Sequence, residues 1–117
     1  MSDAEIRIYQ GDAIKLEFHI IDDEGDDFDL TNFTERKFIV KESKDDLDAL
    51  LEKTELDIVV TSAVAGRMEL QLKNDDTKVI TVGRNWYELQ VVDPLNDLQY
   101  TVLQGYFTVI QKVAEVV

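Results

Sequence analysis

Apolar side chains in this chain recur at every second position, and that spacing constrains its fold more than any other feature of the sequence. It is clearest from Asn85 to Val109, where Tyr87, Leu89 and Val91 alternate with Glu88 and Gln90, and Leu103, Phe107 and Val109 share one face of the next run. Successive side chains of a strand point to opposite faces, so a period of two marks a strand with one face buried, whereas a helix would repeat at about 3.6. Pro94, Asn96 and Asp97 separate the two runs. Proline lacks the amide that a central ladder needs, and Asn and Asp accept tight turns, so this stretch is predicted to be a β-hairpin.

The same alternation recurs upstream. Ile6 and Ile8 alternate within Ala4–Tyr9, and Ile14, Leu16, Phe18 and Ile20 do so within Ala13–Ile21. Phe38 and Val40 point inward from Arg36–Glu42 and leave Ile39 outward; Ile58 and Val60 oppose Val59; Met68, Leu70 and Leu72 form one face of Arg67–Lys73. One stretch reads differently. Ser43 is placed to cap a helix, Asp45 and Asp46 would sit at the positive end of its dipole, and Leu47, Leu50 and Leu51 share a face, so a short crossover helix is predicted over roughly residues 44–53. Asn74–Thr77 reads as a helix start or a single turn. About seven or eight short strands with regular turn signals and one helix describe an all-β antiparallel sandwich, since a parallel α/β sheet would need helices between all its strands.

At 117 residues the chain is expected to form a single β-sandwich domain over 1–117. It carries 25 acidic against 12 basic residues, a net charge of -13. Nucleic acid and anionic membranes are bound by lysine and arginine displacing counterions, so neither is an expected partner. The absence of cysteine excludes disulfides, thiolate metal sites and cysteine nucleophiles. The N-terminus lacks the basic start and apolar run of a secretion signal, and no apolar run reaches the ~20 residues of a membrane span, so synthesis and folding in a cytoplasm are expected.

The inventory of reactive groups is thin. His19 lies mid-strand on a polar side, and Ser2, Ser43 and Ser62 fall at the terminus, a cap and a turn, none in a nucleophile elbow. No glycine-rich phosphate loop or histidine ligand string occurs, so neither an enzyme nor a bound cofactor is expected. Asp22, Asp23, Glu24, Asp26 and Asp27 surround Gly25. Dense carboxylates suit calcium, yet the spacing is not that of an EF-hand, and a solvated hairpin tip accounts for the same residues. Ile21, Ile39, Val59, Val92, Tyr106 and Ile110 face away from the inferred core. They fit two arrangements equally: a second packing layer under the helix, or a protein–protein interface, for which Ile39, Val92, Tyr106 and Ile110 are the candidates.

Several stretches resemble a known family. Tyr9-Gln-Gly-Asp12 before an alternating strand, Phe38-Ile-Val-Lys-Glu-Ser43, Gly66-Arg-Met-Glu-Leu-Gln-Leu72, Asp76-Thr77, Trp86-Tyr-Glu-Leu-Gln-Val-Val-Asp93 and Thr101-Val-Leu-Gln-Gly-Tyr-Phe-Thr-Val109 are similar to small structural proteins of tailed phages and prophages. These resemble the immunoglobulin-like N-terminal domain of baseplate upper proteins. The resemblance implies an immunoglobulin-like sandwich and a non-enzymatic virion part in the tail, baseplate or neck. Such a part would be made in the bacterial host cytoplasm and would contact other virion or tail proteins or further copies of itself. The long baseplate forms also carry a helical stalk and a receptor-binding region, neither of which is expected within these residues. The alternative is a carbohydrate- or calcium-binding β-sandwich module, with the Asp22–Asp29 loop for the ion and Trp86 for stacking.

Overall fold

The computed structural model describes residues 2–111, so the ends of the expected 1–117 domain, and the side chains of Ser2 and Asp3, lie outside the described part. Among the described residues nine strands form two sheets: β1 Ser2–Asp3, β2 Ile6–Tyr9, β3 Ile14–His19, β4 Glu35–Lys41, β5 Leu51–Thr54, β6 Ile58–Ser62, β7 Arg67–Leu72, β8 Gly83–Asp93 and β9 Leu98–Ile110. One sheet runs β1–β9–β8–β4–β5, with β2 also on β9, and the other runs β3–β7–β6. The order β9–β8–β4 against β3–β7–β6 is that of an immunoglobulin-like sandwich, with β5 an added strand beside β4.

The hairpin of β8 and β9 is the spine of the larger sheet. Tyr87 pairs with Gly105 and Leu89 with Leu103, and a bulge after Leu89 shifts the register. At the tip both carboxylate oxygens of the buried Asp93 accept from Asn96, from its amide at 3.2 Å and its side chain at 2.7 Å, and Asp97 turns the chain with φ of 53°. The N-terminal strands lie parallel on the far side of β9, with Ile8 opposite Val109. Ala4, between them, donates to Gln104 and accepts from the Tyr87 hydroxyl. A Cβ at Gly105 would stand 2.5 Å from the Ala4 carbonyl oxygen, so this approach requires glycine.

The period of two becomes the core. Phe18 of β3, Phe38 of β4, Tyr87 of β8 and Phe107 of β9 meet between the sheets, with Phe38 centred 6.0 Å from Phe18, 5.7 Å from Tyr87 and 6.4 Å from Phe107. Each such ring contributes roughly 1.5–3 kcal/mol by leaving water. Arg36 closes the gap where residues 55–57 carry the chain from β5 to β6. Its guanidinium donates to the carbonyls of Ile58 (3.1 Å), Phe33 (3.2 Å) and Glu55 (3.5 Å). Burial lowers its pKa, and the charge of Glu55 works against that shift.

The helix predicted over residues 44–53 is absent. Residues 42–50 form an irregular loop, and Leu51–Thr54 pair with β4 as β5. The local signal at Ser43 is used, but for one turn: the Ser43 amide donates to Asp46 at 3.2 Å and the Asp46 amide to Ser43 at 3.1 Å. Leu47 is 98% exposed, so a helix there would have had little apolar face to bury. Pairing with β4 instead buries Leu51 and gives its backbone a ladder.

The helix that forms, α1, spans Asn74–Lys78, where the sequence indicates a helix start. The Asp76 carboxylate accepts from the Lys73 amide at 2.8 Å and pairs with Lys53 at 2.9 Å. Buried Thr77 donates to the Asp12 carbonyl at 2.9 Å, and Asn74 donates to Gly11 at 2.8 Å, which fastens α1 to the turn before β3. Burial alone would raise the Asp76 pKa, but the Lys73 amide and the Lys53 ammonium together bring it below its ordinary 3.8. A carboxyl with a lowered folded-state pKa adds stability above its unfolded pKa and loses it as pH falls through the folded one. Asp76→Asn should therefore cost about 1 kcal/mol at about pH 7. In urea titrations the gap from the parent should narrow steadily below pH 3.8, and a gap of constant size would overturn this account.

Candidate functional site

Ile39, Val92, Tyr106 and Ile110 alternate with the inward Phe38 and Val40, Val91 and Asp93, Phe107 and Val109, so all four point out from the larger sheet. They do not form one patch. Val92 lies opposite Glu35, six positions along β8 from Trp86, which is about 20 Å at ~3.3 Å per residue. Ile110 lies opposite Tyr9, four positions beyond Tyr106. Ile39 faces Glu88, in the row next to the Trp86–Tyr106 pair. Val59 belongs to the smaller sheet, and Ile21 bridges to Asp27 in the loop after β3. Neither joins the set. The helix that could have covered this face is missing, and α1 is fastened to the turn before β3 instead.

A second cluster stands where β4 ends, level with the pairing of Lys41 and Trp86. Trp86 and Tyr106 meet edge to face with ring centres 5.5 Å apart, and Tyr106 is 45% exposed. The Arg84 guanidinium lies 4.5 Å over the Tyr106 ring and the Lys44 ammonium 5.3 Å over that of Trp86. The loop after β4 rises beside them, and together they enclose an open cavity of about 350 Å³ whose rim includes Glu42, Ser43 and Asp45. The Trp86 indole donates to Glu88 at 3.2 Å, and Lys41 stands 4.0 Å from the same carboxylate. Buried Asn85 fixes the floor, its amide nitrogen 2.8 Å from the Thr81 carbonyl and 3.2 Å from that of Phe107. Sequence reasoning singles out Tyr106 and Trp86 but not Arg84, Lys44, Glu42 or Asp45. Only the pairing of Trp86 with both Lys41 and Tyr106 brings these charges together.

The acidic run closes as a hairpin tip. Asp22 Oδ1 accepts from the amides of Glu24 at 2.9 Å and Asp26 at 3.0 Å, and the Gly25 amide donates to the Asp22 carbonyl at 3.1 Å. Asp27 bonds His19 at 2.8 Å, and Thr31 holds the Asp29 pKa below its usual value through its hydroxyl and its amide. The calcium reading of Asp22, Asp23, Glu24, Asp26 and Asp27 needs several carboxylates turned to one point. Among the described residues no three acidic or histidine groups are arranged to hold a metal ion. Ser43 and Ser62 both bond within their own turns. No helix among the described residues is long and apolar enough to cross a membrane. No known protein-family model matches the chain, and a search of curated proteins finds no match.

Proposed function

We propose that this chain is a non-enzymatic structural or assembly protein of a tailed phage or prophage, acting through contacts with other virion proteins or further copies of itself. The observation that carries the protein-contact part is the outer face of the larger sheet, where Ile39, Trp86, Tyr106 and Ile110 stand with no helix above them among the described residues. Apolar and aromatic side chains on an uncovered sheet are what a partner surface buries. The sheets also end in short strands: β5 has four residues, and β3 is an edge because the N-terminal strands pair with β9 instead. An edge strand offers unpaired amides and carbonyls that a partner strand can extend. The phage assignment rests on the resemblance of the strand and turn stretches described above.

The test is mass spectrometry of tailed particles purified after induction of a strain that carries the gene. Peptides of this chain should co-purify with the particles at a fixed ratio to the tail proteins. Tyr106→Asp with Ile110→Asp should abolish incorporation while moving the melting temperature by less than about 5 °C. Particles that never contain the chain would end the reading. A large loss of stability in the double variant would show that this face is core rather than contact surface.

A further inference from the structure

We propose that the cavity at Trp86 and Tyr106 binds a neutral hexopyranose unit. At about 350 Å³ it lies at the small end of the range for ligand pockets, and it is open on one side as the end of a glycan requires. The Trp86 ring, with Tyr106 standing at 85° to it, offers one flat apolar face on which the C–H face of a pyranose stacks. The rim decides the ligand's charge. Arg84 and Lys44 contribute two cations and Glu42 and Asp45 two carboxylates, so this rim is balanced although the whole chain carries -13. An anion would meet the carboxylates and a cation the basic groups. A hydroxyl both donates and accepts, so a polyol can use the two carboxylates together with Arg84. The planar guanidinium of Arg84 suits two adjacent hydroxyl oxygens at once.

Asn85 and the Trp86 indole nitrogen are engaged with protein acceptors and shape the site rather than contact the sugar. Lys44 lies over the Trp86 face the pyranose would take, and it is an exposed loop residue, so it acts as a movable cover.

Trp86 is the only tryptophan in the chain, so its emission reports on this site alone. The experiment titrates the full chain with glucose, galactose, mannose and N-acetylglucosamine, and with glucuronic acid and glucosamine as charged controls. The indole N–H resonance is followed in parallel by NMR. At least one neutral sugar should give a saturable change with a millimolar Kd, as expected for so few atoms. Glu42→Ala with Asp45→Ala should weaken it at least fivefold, and Lys44→Ala should leave affinity equal or higher. Both variants alter exposed loop residues and should keep the parent melting temperature. No saturable response in either readout overturns the proposal, and so does a charged sugar that binds more tightly than every neutral one. Loss of binding in Lys44→Ala overturns the cover. Particle incorporation is a separate readout, so either reading can fail while the other stands.

Discussion

Gly66→Ala should remove at least about 3 kcal/mol of folding stability, a large share of the ~5–15 kcal/mol available to a domain of this size. The glycine has φ of +70°, in the region that costs an L-residue roughly 1–2 kcal/mol. A Cβ there would stand 2.6 Å from the carbonyl oxygens of both Ile20 and Phe28. The Ile20 oxygen cannot retreat easily. Ile20 donates to the Gly66 carbonyl at 2.8 Å, and its own carbonyl accepts from Phe28 at 2.9 Å, so the turn after β6 and the segment after β3 are clamped together. Gly25→Ala is the matched control. Its φ is +86°, but nothing lies within 4 Å of the added carbon, so only the backbone cost of about 1 kcal/mol should appear. Equal losses in chemical denaturation would show that the clamp does not exist.

The second large effect is expected at Phe38→Ala, with a loss of about 3–5 kcal/mol and a melting temperature lower by more than about 10 °C. Phe38 is fully buried and its ring is shared by three others from three strands, so truncation leaves a cavity that the rigid sheets cannot collapse. Its neighbour Ile39 points the other way, and Ile39→Ala should cost less than about 1 kcal/mol. Adjacent residues with such different costs test the alternation directly. Similar costs for the two would mean that β4 is not seated as described.

How much of this was legible in the sequence follows the range of the interactions. The alternation from Asn85 to Val109 is local, and β8, β9 and the turn between them appear where it places them. The inward positions of Phe18, Phe38, Leu70 and Tyr87 are likewise read from spacing alone. The segment after Ser43 carries a genuine turn signal, but whether Leu51 joins a helix or a strand depends on the open edge of β4, which is a long-range fact. The same holds for the site. Tyr106 is visible as an outward aromatic, whereas Arg84 and Lys44 gain meaning only once strand register sets them over the two rings. The asparagine that supports the floor joins its own turn at Thr81 to the neighbouring strand at Phe107, and the second of these contacts exists only once β8 and β9 pair.

The pairing of the first strands with the last also orders events in time. Ile6–Tyr9 can take their place only against Phe107–Ile110, about a hundred positions later, so these strands have no ladder until Ile110 has left the ribosome. The smaller sheet needs only residues up to Leu72 and can pair earlier. Seating of the N-terminal strands thus waits for the last residues of β9.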